Sequence, residues 1–302
     1  MVENAAQRVR SIHSAGLAVM RGERETFRHR MHLRALLDPD QCRSEIGSGE
    51  YHEAVVAMCV IGKAFPNRAR GHLKRLKHIH TKTGEPEKFE SFEKTVMDYL
   101  APTRLSGHGY QTDSLTDLDL GDVADGLRAL TAPMRDMGYE YFVNSGSLLG
   151  LTREGGLIEH DDDIDLAVIL NAQTEADAIA EWRQVRDRLS ELGFVDDEND
   201  GNYVCKLRRL SGVMIDLFPA WIEAGKVYVY PYSYGDLDEK DLRPLAKCAT
   251  TDLPVPANAA AVLAQNYGAT WQEPDPYFRF NWKGARDRFQ KFLQIEAPHD
   301  DI

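Results

Sequence analysis

The sequence predicts a mixed α/β (α+β) fold: a mixed sheet with flanking helices, preceded by an all-helical N-terminal region. Three observations carry this. Residues 1–100 place apolar side chains at helical spacing and hold few strand formers. From residue 139 onward, short runs rich in β-branched and aromatic residues alternate with helical stretches. Between the two lies APTRLSGHGYQTDSLTDLD, with Pro, Gly, Ser and Thr but no period. The expected organisation is a helical region at 1–100 with a role in acceptor binding, a linker at 101–119 and a catalytic domain at 120–302.

In the first part, AQRVRSIHSAGLAVMRGERETFRHRMHLRALL and HEAVVAMCVIGKAF read as helices. RGHLKRLKHIHTKTGEPEKFESFEKTVMDYL reads as two helices about a Gly-Glu-Pro turn. In the second part, 120–137 suits a helix interrupted or kinked at Pro133, 139–144 a strand, and 147–152 a short helix after Ser-Gly-Ser. Residues 163–170 suit a strand. Residues 174–192 suit a long helix with Ala176, Ile179, Trp182, Val185 and Leu189 on one side. Strands follow at 203–210, 213–218 and 226–230, then a helix within 254–268 and an aromatic end. That end (Trp271, Tyr277, Phe278, Phe280 and Trp282) serves either as packing over the sheet or as a stacking surface for a sugar or base.

Of the 302 residues, 43% are hydrophobic, enough to build one large core or two smaller ones. No apolar run is long enough to span a membrane, and no signal peptide is expected. A cytoplasmic protein follows, with peripheral contact at the inner membrane face as an option. Cys42, Cys59, Cys205 and Cys248 are scattered and form no CxxC pair, as expected of free thiols. Charge is uneven. Residues 1–80 hold 14 Lys+Arg against 8 Asp+Glu, although the whole chain is at −12. Within that basic part, Arg68, Arg70, Lys74, Arg75 and Lys77 either recruit a polyanion or pair with the acidic remainder. No nucleic-acid-binding motif is present, so nucleic acid is not expected as the polyanion. Oligomeric state is not legible.

The chemistry concentrates at HDDDIDLAVIL. Asp163 and Asp165 are two apart in a strand, so both side chains face one way and repel unless a cation lies between them. Hard carboxylate ligands favour Mg²⁺ or Mn²⁺ over zinc. In GVMIDLFPAW a third carboxylate, Asp216, sits in another apolar strand and needs a partner or a cation. If the two strands are neighbours, the three acids converge. Upstream, Gly146 and Ser147 follow a strand and open a helix, a position suited to phosphate oxygens.

The string GSLLGLTREGGLIEHDDDIDLAV resembles the signature of the LicD-type phosphotransferase family, related to the fukutin group, which has a nucleotidyltransferase fold. Gly146, Leu148, Leu149, Gly150, Arg153, Gly155, Gly156, Ile158, Asp161, Asp162, Asp163, Ile164 and Asp165 match it. IDLFP at 215–219 and PVPANAAAVLAQNYGATWQEPDP also look like segments of that family. The resemblance covers about 125–285. Glu159-His160 replaces a frequent Pro-Trp, and Ser147 replaces a frequent Thr.

The resemblance implies transfer of a phospho-substituent from a CDP-activated donor to a hydroxyl of a glycan or lipid-linked glycan. Asp163 and Asp165 would hold two Mg²⁺ ions with Asp216 as third ligand, and Asp216 would also orient or deprotonate the attacking hydroxyl. Asp162 would contact that hydroxyl or a metal-bound water. Gly146, Ser147 and Arg153 would hold the donor, with Arg153 alternatively in a surface ion pair. Lys206 and Arg208 face one way on a strand and are either donor-binding cations or edge-strand charges. Two rivals stand beside this reading: transfer of a nucleoside monophosphate from an NTP with the same carboxylates, and a non-catalytic scaffold.

Overall fold

The computed structural model describes residues 4–294, except 26–27, 43, 107–108, 113–114, 160, 162, 196–202 and 211. Two compact units emerge, one of residues 1–113 with 275–278, the other of residues 114–274 with 279–302.

Among its described residues the first unit holds six helices: α1 (Ala5–Met20), α2 (His29–Leu37), α3 (Pro39–Cys42), α4 (Gly49–Ile61), α5 (Pro66–Thr83) and α6 (Pro86–Leu100). Helix α4 is its centre. From Ala54 to Ile61 (AVVAMCVI) it is apolar around its whole circumference, and a helix of that kind must be enclosed on all sides. Every residue from Ala54 to Val60 is indeed fully buried. Ser48 caps the helix, its side chain accepting from the Tyr51 N–H. The Gly-Glu-Pro turn falls where expected: Gly84 closes α5 with φ 75°, and Pro86 opens α6 at a position whose N–H needs no partner. Within the stretch read as a linker, β1 (Arg104–Leu105) and β2 (Tyr110–Gln111) pair antiparallel.

Residues 275–278 pack into this unit. Arg70 Nη2 donates to the carbonyls of Pro276 and Phe278, and Lys74 Nζ to Asp275 Oδ2 and the Tyr277 carbonyl. The Tyr277 hydroxyl bonds Glu93, and its ring meets Phe89 edge-on. Two of the five clustered cations are thus engaged by this segment. Arg75 and Lys77 stay exposed.

The second unit begins with α7 (Leu120–Leu130) and α8 (Ala132–Asp136), so the expected helix is interrupted, with the break at Thr131 before Pro133. Then come β3 (Glu140–Val143), α9 (Ser145–Arg153), β4 (Asp163–Ile169), α10 (Glu175–Glu191), β5 (Cys205–Leu210), β6 (Val213–Glu223), β7 (Lys226–Val229), β8 (Ser233–Asp238) and α11 (Glu239–Leu242). A short antiparallel pair, β9 (Ala246–Lys247) and β10 (Pro254–Val255), and helices α12 (Ala259–Tyr267), α13 (Trp282–Arg288) and α14 (Gln290–Leu293) complete it. The main sheet runs β3-β4-β6-β7-β8, with β5 also on β6. Among the described residues β4 and β6 pair in parallel and the other neighbours antiparallel, so the sheet is mixed, as expected. β6 is longer than its sequence signal. Residues 213–217 pair with β5, and its continuation 220–223 pairs with β7. All seven residues of β4 are buried, the usual state of a strand in a parallel pair covered on both faces. The aspartates at its start are therefore carried into the interior by LAVI.

Candidate active site

The parallel register of β4 and β6 sets Asp165 directly opposite Asp216, and Asp163 opposite Met214. Paired positions share a face, so Asp163, Asp165 and Asp216 lie on one side of the sheet. All three are buried, at 9%, 7% and 9% exposure. Ile164, at 1%, turns into the core on the other side.

Among the described residues, the carboxylates that come within metal-ligand distance of one another include one from outside the strands. Asp161, Asp163 and Asp165 each offer a carboxylate oxygen within 4.8 Å of the other two. Asp161 precedes β4 and reaches the site from the connecting loop. Its signal lay in the acidic run itself. Asp216 is instead held by Lys206, whose ammonium donates to both oxygens at 2.8 and 3.1 Å. The antiparallel register explains this, since Lys206 pairs with Asp216 across β5 and β6. Asp162 and His160 lie outside the described residues.

Burial pushes the Asp165 carboxyl well above the ordinary carboxylate range, and the charges of Asp163, Asp161 and Asp216 push it further. The Gly146 N–H opposes this, donating to Asp165 Oδ2 at 2.8 Å. Ser147 Oγ, almost fully buried, accepts from the Asp165 N–H at 2.9 Å. The start of α9 and the start of β4 are thereby tied together through one aspartate. Ser145 begins α9 with φ 45°, a left-handed conformation that a non-glycine residue adopts at a cost. At Gly146 a side chain has no room: a Cβ would overlap Asp161 Oδ2 and come within 3.3 Å of Asp165 Oδ2. A second motif glycine has a similar reason, since a Cβ at Gly150 would press on the carbonyl oxygen of Gly156.

Two tyrosines that spacing did not reveal stand beside the acids. Tyr232 has its phenol pushed well above its ordinary range by burial and then by Asp165. Burial does the same at Tyr267, followed by Tyr232, Asp165, Asp161 and Asp163. Both phenols therefore stay protonated and able to donate. Tyr232 in turn packs edge-on against Phe280 at 5.0 Å and lies 5.9 Å from the Phe218 ring. Part of the aromatic end thus packs against this side of the unit, while Trp282 stays exposed.

The remaining candidates spread out. Arg153 pairs with Glu154 and donates to the Trp271 carbonyl at 3.3 Å. Arg208 lies against Gly193 beyond the end of α10, past a register shift in β5 between Leu207 and Leu210. Of the two candidate cations, Lys206 and Arg208, Lys206 is the one paired with an acid of the site. Cys42, Cys59, Cys205 and Cys248 are free thiols. No helix among the described residues is long and apolar enough to cross a membrane.

Three convergent, mutually repelling carboxylates under a glycine with no space for a side chain fit a divalent cation. The oxygen-only donor set fits Mg²⁺ or Mn²⁺ better than zinc. No curated protein sequence matches the chain significantly. Residues 138–258 match the family model described as LicD/FKTN/FKRP, nucleotidyltransferase domain, a span that contains the acidic run, Lys206 and Asp216. Such a domain points to a transferase of the phosphotransferase type. On this match, residues 138–258 are assigned to the LicD/FKTN/FKRP nucleotidyltransferase domain.

Proposed function

We propose that the second unit transfers a substituted phosphate, of the phosphocholine, ribitol phosphate or glycerol phosphate type, from a CDP-activated donor to a hydroxyl of a cell-surface glycan or its precursor. The observation that carries this is the Asp161, Asp163 and Asp165 group beneath Gly146, within the family match. In the reaction the acceptor oxygen bonds to the phosphorus bearing the alcohol. The bond from that phosphorus to the bridging oxygen breaks, and CMP leaves with the electron pair.

Asp161, Asp163 and Asp165 would hold Mg²⁺ or Mn²⁺, with Asp216 as a further ligand. A bound divalent ion would neutralise diphosphate charge and stabilise the leaving oxygen. Asp216 is assigned to orient the acceptor hydroxyl and take its proton, and Asp162 to contact that hydroxyl. Lys206 holds Asp216 and carries a positive charge to the donor side of β5. Gly146 and Ser147 are assigned to a donor phosphate, and their bonds to Asp165 support a positioning role as well. Arg153 is assigned to the donor, and its bond to the Trp271 carbonyl supports a second role in fixing the aromatic end.

The test is incubation with a panel of CDP-alcohols, a glycan acceptor and Mg²⁺. CMP release that stops with EDTA and returns with Mg²⁺ or Mn²⁺ supports the reading. Pyrophosphate release from an NTP, with the CDP-alcohols inert, would replace it by nucleoside monophosphate transfer. Inactivity toward both donor classes would leave the scaffold.

A further inference from the structure

The helical unit has a cleft of about 700 Å³ between α2 and the segment that follows α4. This is the size range of small-molecule sites. Leu33, Leu37, Met58 and Phe65 form its apolar wall. His29, Arg30 and Arg34 stand at its edge, with Asp38 the one acid among the lining residues. The helix period explains the arrangement: Arg30, Leu33, Arg34 and Leu37 recur at three- and four-residue intervals and share a face of α2.

Three features mark the cleft as more than a gap in packing. Phe65 is 57% exposed and held at φ 51°, so a large apolar ring is kept at the surface in a conformation that costs energy. The Arg68 guanidinium lies 5.3 Å from the centre of that ring and adds a further cation. Gly62, at the end of α4, lets the His29 ring lie where any Cβ would overlap it. Arg30 and Arg34 are exposed, and neither has a hydrogen bond or ion pair among the described residues. An apolar wall edged by unpaired cations, in a part of the chain with a positive balance, is complementary to a ligand with an anionic head and a hydrocarbon tail.

We propose that this cleft binds an anionic phospholipid at a membrane surface, with the phosphate at Arg30, Arg34 and His29 and the chain along Leu33, Leu37, Met58 and Phe65. The proposal extends the acceptor reading above, because the lipid end of a lipid-linked acceptor has this chemistry. Its test does not depend on turnover.

The full chain is floated with phosphatidylcholine vesicles, with and without phosphatidylglycerol, at physiological salt. Binding is expected only with the anionic lipid. Arg30→Glu with Arg34→Glu should weaken it roughly twenty-five-fold or more, about fivefold for each cation lost near an anionic surface. Phe65→Asn keeps the charge and tolerates the left-handed backbone, and it should weaken binding severalfold by removing the apolar contact. Arg75→Glu with Lys77→Glu makes the same change of charge on α5 and should weaken it much less. Soluble short-chain phosphatidic acid should compete, and inorganic phosphate should not. The proposal is overturned if wild-type protein ignores anionic vesicles. It is also overturned if the α2 and α5 reversals weaken binding equally, which would mean a diffuse electrostatic patch, or if Phe65→Asn binds like wild type. Melting curves of each variant, expected to match wild type, exclude a loss through unfolding. CMP release from a CDP-alcohol with a water-soluble acceptor should be unchanged in the α2 variant, so a failed lipid test leaves the transfer reading standing.

Discussion

Replacing Gly146 by Ala separates the fold from the metal site. The added Cβ would overlap Asp161 Oδ2 and crowd Asp165 Oδ2 at 3.3 Å. Both contacts are with the far ends of side chains, so the backbone need not move, and the Asp161 carboxylate turns away. Gly146 is in α9 and not in the left-handed region, so alanine costs no backbone strain and gains a few tenths of a kcal/mol in helix propensity. Without metal, the melting temperature should stay within about 2 °C of wild type. With metal the outcome reverses, because one carboxylate of the Asp161, Asp163 and Asp165 group has left. A weakening of roughly tenfold to a hundredfold in metal affinity follows from disturbing such a shell. At a Mg²⁺ concentration about a hundredfold above the wild-type dissociation constant, binding stabilises wild type by about 2.7 kcal/mol, but a hundredfold weaker variant by about 0.4 kcal/mol. The lost stabilisation amounts to roughly 5–9 °C in melting temperature. Thermal melts across a Mg²⁺ titration, with CMP release alongside, measure it. A variant with the full wild-type Mg²⁺ shift and wild-type turnover would refute both the placement of Asp161 as a ligand and the reason given for the glycine.

Asp163→Asn and Asp165→Asn should each lower turnover by at least about a hundredfold while leaving the metal-free melting temperature equal or higher, since each relieves like-charge repulsion; more than a tenth of wild-type activity in either would count against the metal assignment. Lys206→Met should lower the metal-free melting temperature by several degrees, because the buried Asp216 carboxylate then loses the ammonium that donates to both its oxygens (about 1–3 kcal/mol). The deficit should shrink in saturating Mg²⁺, and a deficit that metal does not change would make the ion pair purely structural. In the helical unit, His52 Nδ1 and His72 Nδ1 are 2.8 Å apart, with the Tyr51 ring against both. Burial lowers His52 to about 4, with Arg75 opposing its charge as well. Burial lowers His72 to about 3, with His52, Arg75 and Arg68 adding to the effect. Below the ordinary histidine value the unfolded chain binds more protons than the native one, so stability falls as pH drops from about 6.5 toward 4. Between pH 7 and pH 5 the loss is roughly 2 kcal/mol per histidine. Thermal melts over that range should show it, His72→Gln should flatten the slope, and an equally steep slope in that variant would exclude the pair as the cause.

Local pattern alone located much of this protein. The apolar α4, the Pro-opened α5 and α6, and the strand that carries DIDLAVI are visible because helical and strand periods are short-range properties of the chain. The acidic run, Gly146 and Asp216 were legible for the same reason, as charges and a glycine set where an apolar strand begins or runs. Tertiary structure decided which of these groups meet. Asp165 stands opposite Asp216 only because β4 and β6 pair in parallel in one register, a choice made by burying both faces of β4. The antiparallel register of β5 then gives Asp216 to Lys206, and a loop carries Asp161 into the carboxylate group with Asp163 and Asp165. Tyr232 and Tyr267 reach the acids from distant elements, and residues 275–278 take up Arg70 and Lys74 from far along the chain. Contacts between residues so widely separated arise when hydrophobic surfaces find one another, and no period in the sequence records that.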